Sequence, residues 1–315
     1  MIVDVSNRSA PFWPGTVTHT FDTYGNANDM EVVGDYTYVA DSNYGLTVLD
    51  TSVEGSPQQV TRNRSNGTYY AVDVVGSYAY LATSSGLKII DIATPSAPEE
   101  VGWFSGSDYQ EVMVVGSTAY VVAGYSGLRV IDISDPENPQ ETGSYDTYGY
   151  ARDVVVQGDY AYVADGSYGL RVIDISSNPT EAGYYDTNNA YGIDVRGNYV
   201  YLADYNERSL YVIDVRDPRS PQFISQYSVG ENAYDVVVNG DYAYVASYSS
   251  GLKIIDISEP TSLVEAGHID TPGIALRIMV TGDFVYIADS SRGTRIVDAY
   301  YTVNQQQHTH LSSGD

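Results

Sequence analysis

Acidic residues at one repeated position are the first candidates for chemistry in this sequence. Asp29, Glu111, Asp153 and Asp235 each lie five residues before a glycine that recurs about every 42 residues. Ca²⁺ prefers oxygen ligands, so a cluster of these four carboxylates would suit it, and Ca²⁺ is the one cofactor that the sequence suggests. The alternative interpretation is structural, because aspartate is also common in turns and solvated loops.

Tyrosine is the second candidate group, with 32 of the 315 residues. Its ring offers an apolar face and a polar tip at low entropy cost, which is typical of surfaces that bind proteins or sugars. Arg277 occupies the same repeat position as the four acids and is grouped with the loop tyrosines. The predicted ligand-binding residues are Tyr44, Tyr125, Tyr168, Tyr205, Tyr248 and Arg277. In the alternative interpretation these rings pack on neighbouring repeats.

Signatures of catalysis are scarce. The chain has no cysteine, which excludes thiol catalysis and metal sites that use cysteine. The four histidines, His19, His268, His308 and His310, do not have the spacing of metal ligands on a strand or a helix. The sequence therefore predicts no catalytic residues and a protein that is not an enzyme.

The net charge of the chain limits the kinds of partner that it can bind. The net charge is −26, and Lys88 and Lys253 are the only lysines. Such an excess repels phosphate backbones and anionic lipid surfaces, so neither nucleic-acid binding nor membrane insertion is expected. It is compatible with high salt, with a cation-rich extracellular medium, or with a need for solubility. The N-terminal segment does not have the pattern of a signal peptide, and the sequence reads as a fragment of a longer protein.

A repeat of about 42 residues dominates the chain and predicts stacked sheet units. The repeated glycine is found at Gly34, Gly76, Gly116, Gly158, Gly197, Gly240 and Gly282. Each unit contains four strand-like runs joined by short turns, which we name A to D in chain order. In the sixth unit we expect strands at 235–238, 242–246, 252–257 and 264–269.

Strand B shows why these units must form a ring. One face carries a tyrosine four residues after each glycine, and the opposite face carries a valine, leucine or isoleucine. Sheets that are apolar on both faces must be covered on both sides, and stacking around an axis achieves this. We therefore predict an all-β fold, a seven-bladed β-propeller of four-stranded antiparallel blades. It forms one domain over residues 1–303, followed by a polar tail at 304–315 that we expect to be disordered.

The two ends of the chain predict how the ring closes. The seventh unit lacks a D strand after Thr294 to Asp298, and Thr16 to Thr23 matches one. An N-terminal strand that joins the last blade would remove a free sheet edge. Ile2 to Val5 then forms one C-like strand too many, which either adds outside the blade or competes with Thr294 to Asp298.

Two segments resemble a known family. Gly127 to Pro136, Gly-Leu-Arg-Val-Ile-Asp-Ile-Ser-Asp-Pro, and Gly158 to Asp165, Gly-Asp-Tyr-Ala-Tyr-Val-Ala-Asp, are similar to the LVIVD repeat. The resemblance covers Ile2 to about Thr302. It implies a β-propeller of bacterial or archaeal surface and secreted proteins, and it implies no catalytic residues.

Three functions follow from these observations. The first is a non-catalytic binding or scaffold module, extracellular or at a cell surface, that presents an acidic, tyrosine-rich face to a protein or polysaccharide. The second is a propeller enzyme, of the polysaccharide lyase or metal-dependent hydrolase or lactonase type, with a site at the channel mouth. The third is a self-associating subunit of a surface layer or fibre, since a surplus strand could pair with another chain.

Overall fold

A computed structural model describes residues 17–53, 56–64, 67–282 and 284–298. These residues form only short strands and turns. The first strands are β1 (Val17–Phe21), β2 (Asp29–Val33), β3 (Tyr36–Ala40), β4 (Leu46–Asp50), β5 (Gln58–Asn63), β6 (Tyr69–Val75), β7 (Tyr78–Thr83), β8 (Gly86–Asp91), β9 (Glu99–Ser105), β10 (Glu111–Val115), β11 (Thr118–Val122), β12 (Leu128–Asp132) and β13 (Gln140–Tyr145). The remaining strands are β14 (Asp153–Gln157), β15 (Tyr160–Ala164), β16 (Leu170–Asp174), β17 (Thr180–Tyr185), β18 (Ala190–Arg196), β19 (Tyr199–Asp204), β20 (Ser209–Asp214), β21 (Gln222–Ser228), β22 (Asp235–Asn239), β23 (Tyr242–Ala246), β24 (Leu252–Asp256), β25 (Val264–Ile269), β26 (Arg277–Thr281), β27 (Phe284–Ala288) and β28 (Thr294–Asp298).

The strands form seven antiparallel sheets of four, which we number as blades 1 to 7. Blade 1 is β2 to β5, and blades 2 to 6 follow in chain order. Blade 7 has the order β1-β28-β27-β26, so it combines strands from both ends of the chain. The seven-bladed prediction is confirmed, and the strands expected in the sixth unit agree with β22 to β25 within one residue at each end.

The core lies between blades. The described residues form seven apolar clusters, and each joins one blade to the next. Between blades 7 and 1, for example, Tyr286 and Ile296 pack with Met30, Val39 and Leu49. Both predicted faces of strand B are therefore covered, as the sequence required, and burial of this apolar area is the main force that holds the blades together.

The ring closes through β1 and β28. These strands pair antiparallel, with Thr20 opposite Arg295 and Phe21 opposite Thr294. Phe21 also packs on the cluster between blades 7 and 1. Thr294 to Asp298 is therefore the C strand of the last blade, and β1 removes its free edge. Ile2 to Val5, the predicted surplus strand, lies outside the described residues, as does the tail at 304–315.

Short loops position the two ends of each strand. An aspartate ends strand C in each unit, and in the first six it accepts a backbone N–H from two residues further on, as in Asp132 with Ser134 at 2.9 Å. This aspartate therefore has a structural role in the loop to strand D. At the other edge, the B–C loop of one blade bridges to the D–A loop that leads into the next, as Gly124 does to Ala151. These two kinds of loop share one face of the disc, which we call the loop face.

Candidate functional site

The predicted ring of acids surrounds a guanidinium. Strand A of each blade lines a central cavity of about 340 Å³, and in five of the seven blades the first residue of that strand belongs to the lining: Asp29, Glu111, Asp153, Asp235 and Arg277. Arg277 lies 2.7 Å from Glu111, 3.1 Å from Asp153 and 3.4 Å from Asp235, joining blade 7 to blades 3, 4 and 6. All four side chains are largely buried. Arg277 is thus engaged in the channel and is not presented on the loop face.

The channel carboxylates also accept hydrogen bonds from backbone N–H groups. Strand A pairs on one side only, so alternate N–H groups face the channel and need acceptors. Asp29 accepts from Val72 of the next blade at 2.8 Å, and Asp235 accepts from Ile278 at 2.8 Å. Asp153 accepts from Ile193 in the same way at 3.0 Å. These acids link each blade to its neighbour.

A second ring of channel residues was missed by sequence reasoning. It lies two residues further along strand A and comprises Glu31, Asp73, Met113, Val155, Asp194, Val237 and Met279. Asp73 and Asp194 each accept an N–H from the next blade, both at 2.6 Å. The sulfur of Met113 occupies the acceptor position for Val156 at 3.2 Å. The alternation of strand A could have revealed this ring, because residues two apart share a face.

Burial changes the protonation of these carboxyls. It raises the pKa of Asp29 to about 7 and of Glu31 to about 8, and in Asp29 the charge of Arg277 opposes the rise. Burial likewise raises the pKa of Asp194 and Asp235 to about 6, and that of Glu111 well above its usual range. The channel therefore gains protons on folding near neutral pH.

The four carboxylates of the calcium hypothesis lie around one cavity. The chemistry of the donors is suitable, since Asp29, Glu111, Asp153 and Asp235 all bear on one cavity. In the described part of the chain, however, no group of three or more histidine or carboxylate side chains is arranged to hold a metal ion. The oxygens of Glu111, Asp153 and Asp235 contact Arg277 instead.

Four further aspartates near the loop face make contacts that stabilise the fold. Asp41, Asp165 and Asp289 directly follow strand B, Asp204 is its last residue in blade 5, and all four are fully buried. Asp165 accepts the hydroxyl of Thr147 at 2.7 Å and the N–H of Gly149 at 2.8 Å. Asp289 repeats this with Thr271 and Gly273, and also contacts Arg295 at 3.1 Å. These side chains fasten the D–A loop and do not contribute exposed charge.

The loop face carries the predicted tyrosines in two settings. Four loop tyrosines are well exposed: Tyr24 at 72%, Tyr125 at 78%, Tyr148 at 67% and Tyr168 at 43%. Tyr44 is half-buried, with its ring centroid 6.3 Å from that of Tyr24, and the guanidinium groups of Arg62 and Arg64 lie over it. Tyr168 lies 6.3 Å from Tyr148 in a similar tilted pair. Of the five predicted loop tyrosines, Tyr125 and Tyr168 thus present the most ring surface.

The other rings form a continuous arc around the channel mouth. Tyr205 stacks on Tyr191 at 4.8 Å, and Tyr248 stacks on Tyr234 at 5.8 Å. Tyr234 meets both Tyr191 and Tyr205 edge to face at 5.2 Å. Tyr205 therefore contacts a ring of the neighbouring blade, as the alternative interpretation stated, whereas Tyr248 stacks on a ring of its own blade. Both remain half-exposed on the loop face.

A small cavity of about 140 Å³ opens within this arc, and we call it the mouth cavity. It is lined by Asn28, Gln110, Arg152, Tyr191, Tyr234, Leu276 and Arg277. Arg152 was not selected from the sequence. Its guanidinium lies 3.8 Å from the ring centroid of Tyr191 and 4.7 Å from that of Tyr150. The available signal was its position one residue before the repeated acids, where the other blades have Asn, Gln, Tyr or Leu.

The remaining candidates do not gather into a site. His268 contacts Glu265 at 2.9 Å on an outer strand, half-exposed. His308 and His310 lie outside the described residues, and so does the side chain of His19.

A search of the described ranges for a long apolar helix that could span a membrane finds none.

The fold and its loop face define the class of this molecule as a β-propeller repeat protein. The LVIVD repeat model matches residues 1–19, 24–62, 67–105, 106–147, 148–187, 189–229, 230–271 and 272–299. The chain therefore belongs to the LVIVD repeat family, which confirms the resemblance of its repeats.

Solved structures share the fold at low sequence identity. A chain of the mitotic checkpoint complex is 11% identical with a TM-score of 0.72, over 95% of this chain and 97% of that one. The β-propeller domain of Cps50 (Swd1) from Myceliophteria thermophila is 13% identical with a TM-score of 0.72, over 90% and 99%. The computationally designed protein Ika8 is 9% identical with a TM-score of 0.68, over 89% and 98%. No curated protein matches the sequence significantly.

Proposed function

We propose that this protein is a non-catalytic binding module, located outside the cell or at its surface, that presents the loop face to a protein or glycan partner. The observation that carries the proposal is the set of exposed loop tyrosines, Tyr24, Tyr125, Tyr148 and Tyr168. Amphipathic rings held by a rigid scaffold lose little entropy on binding, which favours such surfaces. The location follows from what the repeat resemblance implies for its relatives.

The contacts of the channel acids support binding over catalysis. Asp153 and Asp235 each bind Arg277 and a backbone N–H of the next blade, so their oxygens already have structural partners. A general acid or base needs an oxygen that reaches the substrate. The loop tyrosines, by contrast, keep free surface, which makes the loop face the better candidate for a partner.

Removing two loop tyrosines is expected to weaken partner binding. Tyr125→Ala combined with Tyr168→Ala should raise the dissociation constant at least about tenfold, because exposed aromatic anchors carry much of the energy of such interfaces. The measurement is binding of immobilised protein to an array of bacterial and archaeal polysaccharides and surface proteins, followed by titration of each hit.

Phe223→Ala is the matched control, since Phe223 is 44% exposed and lies near the start of the outer strand β21, at the end of the blade away from the loop face. The control should bind like the wild type. Hits that weaken equally in the control and the double variant, or no hits at all, would contradict the proposed function.

A further inference from the structure

The mouth cavity contains a cation without a counter-ion. Arg152 is half-buried, and no carboxylate lies within 4 Å of its guanidinium among the residues that the structure describes. Its Nε is buried and has no hydrogen-bond partner there. In a chain with 41 acidic and 15 basic residues, a half-buried arginine without a carboxylate is unusual. Two tyrosine rings hold the guanidinium in place, so its donors are fixed before any ligand arrives.

The walls of the cavity add acceptors to this donor. The Nε2 of Gln110 already donates to Asp108 at 2.7 Å, which leaves its Oε1 as an acceptor. The Nδ2 of Asn28 donates to the carbonyl of Tyr69 at 2.7 Å, which likewise leaves the Oδ1 of Asn28 as an acceptor. A ligand that fits must therefore accept hydrogen bonds on one side and donate them on another.

Size and ring surfaces select among such ligands. A cavity of about 140 Å³ has room for roughly ten water-sized groups, about the number of non-hydrogen atoms in one sugar ring with its substituents. Tyr191 and Tyr234 contribute aromatic walls to this space. Sugar hydroxyls donate and accept, and tyrosine rings pack against the apolar face of a sugar.

We infer that the mouth cavity binds one carboxylate-bearing sugar residue, a uronic acid of a glycan chain, with the carboxylate on Arg152. The hydroxyls of that residue meet Gln110 and Asn28, and its ring packs in the tyrosine arc. A planar guanidinium pairs with a carboxylate through two parallel hydrogen bonds, and the other guanidinium of the cavity, that of Arg277, is already paired with channel carboxylates. Arg277 also lines the cavity and holds Glu111, Asp153 and Asp235, so it offsets the negative charge below the ligand.

Trigalacturonate is the probe, and titration calorimetry of the full chain at low salt is the measurement. We expect the wild type to bind trigalacturonate and Arg152→Gln to bind it at least about 30-fold more weakly. The affinity of Arg152→Lys should fall between the two, because lysine keeps the positive charge but cannot form two parallel hydrogen bonds with the carboxylate. Neutral galactotriose should bind at least about tenfold more weakly than trigalacturonate. The thermal midpoint of each variant should match that of the wild type, which separates lost binding from lost folding.

Any one of several results would overturn this assignment. The first is that Arg152→Gln binds trigalacturonate as tightly as the wild type does. The second is that the wild type binds galactotriose as tightly as trigalacturonate. The third is that it binds triglutamate and not trigalacturonate. Absence of any trigalacturonate binding would also overturn it. The inference rests on the proposed function but can fail alone. If the array hits still depend on Tyr125 and Tyr168 while Arg152→Gln changes none of them, the loop face binds a partner and the mouth cavity does not bind uronate.

Discussion

Arg277→Met is expected to lower the free energy of unfolding by about 3–5 kcal/mol at pH 8, the cost typical of removing one partner from a buried ion pair. The guanidinium contacts Glu111, Asp153 and Asp235. Without it, three buried carboxylates from different blades face one another with no positive charge among them. A loss of this size should lower the thermal midpoint by roughly 10 °C.

The deficit of Arg277→Met should grow with pH. Burial places the folded pKa of Asp29 at about 7 and of Asp235 at about 6, both above the ordinary value of 3.8. Groups whose pKa is raised by folding stabilise the fold fully at low pH, and that contribution is lost as the pH rises through the folded pKa. The wild type should therefore be less stable at pH 8 than at pH 5. The variant should fall more steeply, because loss of Arg277 raises these pKa values further.

Arg196→Met is the matched control for this experiment. Arg196 lies at the exposed end of a strand A and contacts Asp241 at 3.5 Å, with both side chains largely in solvent. Exposed pairs of this kind contribute about 0–1 kcal/mol, so the control should change the midpoint little at either pH. Denaturant unfolding at pH 5 and pH 8 measures all three proteins. Equal stability of Arg277→Met and the wild type at pH 8 would show that the channel acids do not depend on Arg277.

Deletion of residues 1–22 is expected to have the second large effect. It removes β1, leaves β28 as a free edge and exposes the cluster between blades 7 and 1, on which Phe21 packs. An unpaired edge strand favours aggregation, so the truncated chain should either fail to accumulate as a monomer or lose more than about 15 °C of thermal midpoint.

Deletion of residues 1–15 is the control for this truncation, because it removes Ile2 to Val5 and leaves β1 intact. Size-exclusion chromatography with light scattering and thermal unfolding compare the two deletions. The pairing of β1 with β28 assigns ring closure to Val17–Phe21, so the shorter deletion should stay monomeric with a midpoint within a few degrees of the wild type. An equal loss in both deletions would show that the segment before residue 16 closes the ring.

Much of the fold could be predicted because the residues that determine how a blade packs recur at the same spacing in each repeat. The spacing of Gly240 from Tyr244 and Val245 sets which residues of β23 face each neighbouring blade, and the structure buries both faces. The same spacing groups Asp29, Glu111, Asp153 and Asp235 at one repeat position, and all four line the channel. Local periodicity is enough for these conclusions, since every blade repeats the same pattern.

The candidate site could be predicted only in part, because its contacts cross between repeats. Arg277 reaches Glu111 across the ring, and repeat spacing gives no direction to a long side chain. Tyr205 meets Tyr234 of the next blade edge to face at 5.2 Å, and Tyr125 meets Tyr150 of the next blade at 4.9 Å. Tyr248 occupies a similar loop but stacks on Tyr234 of its own blade. Which loop rings meet depends on the angle between blades, and that is a property of the closed ring.

A disulfide between β1 and β28 tests ring closure, on which the channel and the loop face both depend. Thr20 and Arg295 lie opposite each other, and cross-strand neighbours are about 4.5–5.5 Å apart at Cα, within reach of a disulfide. The chain has no cysteine of its own, so Thr20→Cys with Arg295→Cys gives one possible bond. Thr20→Cys with Lys253→Cys is the control, because Lys253 holds the equivalent position in blade 6.

Mass spectrometry of the purified monomer after mild oxidation gives the answer. The closed ring predicts nearly complete intramolecular disulfide in the Thr20 and Arg295 pair, and free thiols in the control. Free thiols in both proteins, or disulfide-linked dimers of the first, would contradict closure of the last blade by the chain's own N-terminal strand.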